Sequence, residues 1–284
     1  MEKIAIVGAG MAGLAAADRL ADAGLVPVVF DKSRGTGGRL ATRRHKAGPF
    51  DHGAPVAQGD LAFDMAMERV GARKSGEGWR GDPGMSSLVK PLAIRADIRT
   101  NCRIHELRFD DGWYLDGETG AGPFDGVIVA VPAPQLADLH PDPALASVRM
   151  TARWTLLVSW PELRPIFPSF PFEAVLRQDS GDAWVAHADA EWSAAHLELD
   201  AAEVAERLVG LLSEAAGAEG RPDYAAAHRW RYARVARPLG RPFLQIGQNA
   251  VAGGDWALGP NAGDAWHSGR AMADALLGKA GTTG

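Results

Sequence analysis

The stretch from Lys3 to Asp31 constrains the fold more than any other part of the chain. Ile4 to Val7 is a short apolar run of the kind buried in a parallel sheet. Gly8, Gly10 and Gly13 follow it directly as G-x-G-x-x-G, with Met11 and Ala12 between the last two. Leu14 to Ala23 then reads as a helix rich in Ala and Leu, stopped by Gly24. Val26 to Phe30 is a second strand with Asp31 at its carboxyl end. Each glycine has a physical task. Gly8 turns the chain where a Cβ would obstruct, Gly10 lets the backbone approach a pyrophosphate, and Gly13 lets helix and strand pack closely. The helix N-terminus offers free N–H groups to phosphate. Asp31, about 20 residues beyond the glycines, suits a ribose hydroxyl. The expectation is an α/β chain with a Rossmann-type dinucleotide-binding domain.

The next loop, Lys32 to Arg39, holds Arg34 and Arg39 around Gly35, Gly37 and Gly38. Two guanidiniums on a glycine-rich loop can wrap a dinucleotide and neutralise its phosphates. Phe50, Asp51, His52, Gly53 and Ala54 follow. Small residues there would admit a flat ring, although Asp51-His52 reads equally well as a surface turn. Val127 to Val131, closed by Pro132, fits a buried strand beside the first one. The segments 62–70 and 86–93 read as helices, 97–109 as one strand, and Trp113 to Leu115 as a hairpin strand.

From Thr151 onward the pattern changes. Trp154–Trp160, Glu173–Arg177, Ala183–Ala188 and Ala227–Tyr232 read as strands of a second sheet. Ala201 to Ala216 is an amphipathic helix, capped by Asp200. On a strand, His228, Trp230 and Tyr232 share one face while Arg229 and Arg231 share the other. The first face could hold a flat substrate. On the residues alone, Trp230 and Tyr232 read first as core, with the arginines solvated. Leu244–Gly247 and Ala250–Ala252 are returning strands, followed by Gly253, Gly254, Asp255 and Trp256. A final helix runs from about Ala262, its first turn carrying Gly263, Asp264 and Ala265.

Composition removes several function classes. The 284 residues carry a formal net charge of −5, which suggests no nucleic-acid or membrane partner. Cys102 is the only cysteine and the eight histidines show no H-E-x-x-H spacing, so no metal site is expected. No apolar run approaches the roughly 18 residues of a membrane span, and the apolar N-terminus is already used as a strand. A cytoplasmic location is the expectation.

Taken together, the glycine fingerprint, Arg34-Gly-x-Gly-Gly-Arg39 and Asp51-x-Gly53-Ala54 resemble the FAD-binding half of the flavin amine oxidase superfamily. Pro83-Gly84-Met85-Ser86, the strand end at Val131, Glu191-Trp-Ser-x-x-His196, His228 to Ala233 and Gly254-Asp255-Trp256 narrow the likeness. They resemble the bacterial renalase-like flavoproteins over nearly the whole chain. The resemblance implies a discontinuous FAD-binding domain (1–58, 84–150 and 245–284) and a smaller α+β substrate domain (59–83 and 151–244). It implies non-covalent FAD held by Gly8, Gly10, Met11, Ala12, Gly13, Asp31, Lys32, Arg34, Gly38, Arg39, Asp51, His52, Gly53, Ala54, Pro83, Gly84, Met85, Gly254 and Asp255. Ile104 would lie near the adenine, and Val131, Gly263, Asp264 and Ala265 near the flavin. His228, Trp230 and Tyr232 would roof the flavin as the catalytic face. The implied reaction is hydride transfer from an isomeric 2- or 6-dihydroNAD(P) to flavin N5, with dioxygen then taking the electrons to give hydrogen peroxide. A flavin amine oxidase is the alternative enzyme. A flavin-binding protein with an inactive pocket is the third reading, because 59–82 and 178–183 are shorter than the resembled family's segments.

Overall fold

The computed structural model describes residues 1–117, 120–167, 169–179 and 181–278. The chain divides into two compact units. The first comprises 1–40, 56–149 and the chain from 235 onward; the second comprises 41–55 and 150–234.

The first unit is built on a six-stranded sheet in the order Leu244–Gly247, Ala250–Ala252, Gly126–Val129, Ile4–Val7, Val28–Phe30, Asp97–Arg99. Neighbours run parallel except for the first pair. Ile4–Val7 is buried along its whole length, as a strand covered on both faces must be. Helix Met11–Asp22 begins three residues before the Ala/Leu run suggests, because Gly10 already serves as its N-cap. Gly13 therefore sits inside the first turn. A Cβ there would stand 1.9 Å from the Gly8 carbonyl oxygen, so only glycine permits this approach. The same helix packs on the C-terminal helix Ala262–Leu276, where a Cβ on Gly269 would meet the Ala12 carbonyl oxygen at 2.1 Å.

The stretch 97–109 is two strands, not the single one expected. Asn101 takes a positive φ of 52° and turns the chain out of the parallel sheet after Arg99. Ile104–Phe109 then pairs with Trp113–Gly117, which pairs with Ala121–Phe124. Residues 86–93 are likewise not one helix. A 3-10 turn, Met85–Leu88, precedes the short helix Lys90–Ala93, whose first turn contains Pro91. No helix among the described residues is long and apolar enough to cross a membrane.

The second unit is a four-stranded sheet in the order Phe172–Arg177, Ala183–Ala188, Arg149–Ser159, Tyr224–Arg237. Each of its two faces is closed by a different element. Helix Ala201–Ala216, capped by Asp200 and ended at Gly217 in the left-handed region, buries Val204, Leu208 and Leu212 against Trp154, Leu156, Trp184 and Ala186. On the other face Leu157, Ala183 and Val185 pack against Phe50. Phe50 belongs to a hairpin, Thr42–His45 with Gly48–Asp51, that sequence periodicity does not reveal.

That hairpin changes the expected domain boundaries. Residues 41–55 sit with the second unit because Phe50 fills its core and Gln178 accepts the Asp51 backbone N–H at 2.9 Å. Residues 59–83, expected in the substrate domain, sit with the first. Ala57 and Trp79 form a bridge, the Gly263 N–H donates to the Gln58 carbonyl at 2.8 Å, and Phe63 packs edge-on to Trp266. Residues 279–284 lie outside the described residues.

Candidate functional site

In the first unit the candidate cofactor residues converge at the carboxyl ends of the parallel strands. Gly8, at φ +106°, crosses over the end of the neighbouring strand; a Cβ there would stand 2.5 Å from the Ala130 carbonyl oxygen and 3.5 Å from the Val131 side chain. Gly10 is different. Apart from its own backbone and its two chain neighbours, nothing among the described residues lies within 4 Å of where its Cβ would be, so packing does not explain the glycine, whereas close approach of a ligand does. Gly38, at φ +54°, would bring a Cβ within 3.3 Å of Gly10 Cα, which closes the cradle from the arginine loop. The 3-10 turn beginning at Met85 packs against the turn Gly38–Leu40, bringing the Pro83–Met85 segment to the same loop.

Asp31 is pre-oriented. Its carboxylate oxygens accept the backbone N–H groups of Ala9 and Ser33, each at 2.7 Å. This ties the acid to the glycine turn and leaves lone pairs for a ribose. Burial pulls the pKa of Lys32 below its ordinary value, with Arg103 adding to the shift and Asp31 opposing it. Arg34 is exposed. Arg39 forms a bidentate pair with buried Asp255, both contacts at 2.6 Å. Asp255, expected among the FAD-binding residues, holds Arg39 with both oxygens and so positions a guanidinium suited to phosphate.

The remaining first-unit residues cluster beside these. Gly254 adopts φ +152°, donates its N–H to Ser268 Oγ at 2.9 Å, and precedes Trp256, whose indole N–H donates to the Val131 carbonyl at 2.9 Å. Asp264 caps its own helix: its side chain accepts the Asn261 N–H at 2.9 Å within a full capping box. Gly263 and Ala265 are buried in that first turn. Ile104 begins a strand of the three-stranded sheet two residues beyond Cys102, whose N–H donates to the Asp31 carbonyl at 2.8 Å. The donors and the cradle thus fit a dinucleotide cofactor.

The second unit carries the other cluster. His52 is no surface turn; Asp51 and His52 are both buried. Asp51 accepts from Thr42 Oγ1 at 2.6 Å. The His52 and His228 rings meet edge to face at 4.7 Å, His228 and Trp230 at 4.3 Å, and His52 and Trp230 at 5.2 Å. The Trp230 indole N–H donates to the His52 carbonyl at 2.8 Å. Arg229 and Arg231 point the other way, as alternation requires. Arg229 donates to the Leu197 carbonyl at 2.7 Å and Arg231 forks onto Glu198 at 2.5 and 2.9 Å, so neither is simply solvated. Among the described residues, no ring contact brings Tyr232 into the cluster with His228 and Trp230. Gly53 and Ala54 follow His52, half-buried.

Two members escaped the sequence reading. His187 and Thr155 face each other across neighbouring strands, both buried, with Oγ1 and Nδ1 at 3.0 Å. They lie on the strand face that Leu157 and Val185 turn toward Phe50. Strand alternation within 183–188 could have found them. Burial lowers the pKa of every imidazole of this set. Burial, reinforced by Arg153 and His52, depresses the pKa of His187 to about 3. Burial, then His52 and Arg43, takes His228 to about 4. Burial also lowers His52, against a partial offset from the Phe50 carbonyl. Neutral imidazoles beside an indole can stack on and hydrogen-bond a flat uncharged ring. Among the described residues no group of three or more His, Cys, Asp or Glu could hold a metal.

Comparison with known proteins adds the following. The NAD(P)-binding Rossmann-like domain matches residues 6–66, and the flavin containing amine oxidoreductase family matches residues 66–277. Hydroxyneurosporene desaturase from Cereibacter sphaeroides is 33% identical over 117 residues, covering 41% of this chain but only 19% of that protein. Among solved structures, cyclohexylamine oxidase from Brevibacterium oxydans superposes with a TM-score of 0.74 at 12% identity, covering 98% of this chain and 99% of that one. A putative protoporphyrinogen oxidase from Exiguobacterium gives 0.73 at 13% identity, with the same coverage. These two likenesses speak for the fold.

Proposed function

This chain belongs to the family of flavin-containing amine oxidoreductases, and on that footing we propose that it is an FAD-dependent oxidase of a reduced, uncharged ring substrate. An isomeric 2- or 6-dihydronicotinamide dinucleotide is the best match. The observation that carries the choice of substrate is the cluster of His52, His228 and Trp230, in which charge on the imidazoles is suppressed. A site that keeps its own histidines neutral imposes the same penalty on a bound ammonium. A neutral dihydropyridine meets no such penalty and gains stacking area.

FAD held at the cradle of Gly8, Gly10, Gly13 and Asp31 would supply the two-electron chemistry that couples oxidation of the substrate to reduction of dioxygen to hydrogen peroxide. The chain supplies position and polarity. Gly8, Gly10 and Gly13 admit the pyrophosphate, Asp31 receives the ribose, and Arg34 with Arg39 balances the phosphate charge. His228 offers a neutral hydrogen-bonding edge to the substrate carboxamide, and Trp230 offers a stacking surface. The Trp230 bond to the His52 carbonyl fixes that surface in advance of binding.

Anaerobic mixing of the FAD-loaded protein with 2- and 6-dihydroNAD(P), and separately with cyclohexylamine and putrescine, tests this reading at the flavin absorbance. Bleaching by a dihydronicotinamide isomer is expected. Bleaching by the amines alone would replace it with amine oxidation.

A further inference from the structure

Arg43 lies on the outer strand of the hairpin, opposite Phe50 in the register Thr42↔Asp51, Arg43↔Phe50. Cross-strand partners share a side, so Arg43 leaves the hairpin on the side where Phe50 meets the sheet. His45, two residues on, shares that side and stacks on Tyr224 at 4.0 Å. Along the strand Tyr224–Arg237, Tyr224 and His228 lie on one face, four residues apart. Phe50 meets Tyr224 at 5.6 Å and His52 meets His228 at 4.7 Å, and the strands of the hairpin are antiparallel, so the step from His45 back to Arg43 runs from the Tyr224 end toward the His228 end. Its guanidinium is close enough to lower the pKa of both His52 and His228.

Neighbouring charges on this side are occupied: Asp51 is engaged by Thr42, and Arg153 pairs with Glu173. Arg43 is exposed, and no hydrogen bond or ion pair of its own is found among the described residues. An unpaired guanidinium at the edge of a neutral ring cluster is matched to a ligand with a flat uncharged ring and an anion attached to it.

We propose that Arg43 anchors a phosphate group of the substrate whose ring packs against His52, His228 and Trp230. The inference rests on the reading that this ring cluster recognises the substrate. It goes beyond that reading by naming the anion and the residue that takes it. The planar fork suits two phosphate oxygens at once, which a lysine at the same position would hold only as a point charge.

The test uses the FAD-loaded wild type with Arg43→Ala and Arg43→Lys, titrated with NADP⁺, nicotinamide and inorganic pyrophosphate while the flavin absorbance is followed. With FAD in place its own phosphate sites are filled. Arg43→Ala is expected to weaken NADP⁺ and pyrophosphate by roughly ten-fold or more, the scale of one charge-assisted hydrogen bond. Arg43→Lys should fall between, and nicotinamide should bind all three alike. Raising salt should weaken NADP⁺ binding to the wild type more than to Arg43→Ala. Unchanged NADP⁺ binding in Arg43→Ala overturns the proposal, as does an equal loss for nicotinamide, which would mean a disturbed fold. A wild type that binds neither NADP⁺ nor pyrophosphate overturns it too. If pyrophosphate binding depends on Arg43 while no dihydronicotinamide bleaches the flavin, the anion site stands and the substrate reading falls.

Discussion

His228 is where substrate recognition is most exposed to a single change. Its ring touches both His52 and Trp230, whereas Arg229, one residue on, is tied to the Leu197 carbonyl on the opposite face. His228→Ala should therefore slow flavin reduction by roughly ten-fold or more, the loss expected for one positioned polar group, and leave the bound-flavin spectrum intact. Arg229→Ala should change the rate much less. Stopped-flow reduction with a dihydronicotinamide isomer measures both, and the reverse ranking would invert the face assignment. His187 makes a separate prediction about pH. Its folded pKa of about 3 lies below the roughly 6.5 of an unfolded histidine, so between those values the unfolded chain binds the proton and the native one does not. Stability is fully present above pH 6.5 and declines as the pH falls, by up to about 1.4 kcal/mol per pH unit from this group. Thermal melts from pH 7.5 to 5 should show that decline, and His187→Gln should flatten it; an unaltered slope in the variant would rule His187 out as its source. Strand alternation placed His228 and Trp230 on one face, as their ring contact shows, but left open whether that face is core or site. Sequence alone left Asp51-His52 ambiguous, because nothing local records that Phe50 beside them fills a core built from residues more than a hundred positions away.

At the scale of elements, the strand, glycine turn, helix and second strand act as one device. The turn fixes Gly8 against Ala130, the helix closes on Gly13, and Asp31 is pinned to Ala9 and Ser33. Asp31→Ala removes the ribose acceptor and these two backbone contacts together. FAD retention should weaken by about 1.5–3 kcal/mol, the range for hydrogen bonds to a charged group. Equal FAD occupancy of mutant and wild type after dialysis would contradict that role. This device was readable because each residue type answers to a local steric demand. The hairpins were not. Thr42–His45 and Gly48–Asp51 carry charged, proline and glycine residues without apolar alternation, and Arg73–Ser75 with Gly78–Arg80 is no more regular. Likewise only the backbone at Asn101 shows that 97–109 must break.

At the scale of the molecule, the chain builds two units and crosses between them more than once, with 41–55 and 150–234 forming the smaller one. Motif order predicted that the cofactor-binding part would be discontinuous. It misplaced 41–55 and 59–83, because unit membership is decided by long-range packing such as Phe50 on Leu157 and Val185, or Gly263 on Gln58. The family assignment and the strand-end cradle of the larger unit make one demand in common, a bound dinucleotide flavin. Acid or heat release from the purified protein, with the flavin identified by chromatography, tests that demand most directly. The account predicts a yellow protein that releases stoichiometric, unmodified FAD. Release of FMN, a flavin that stays with the denatured chain, or no flavin at all after reconstitution with FAD would contradict it.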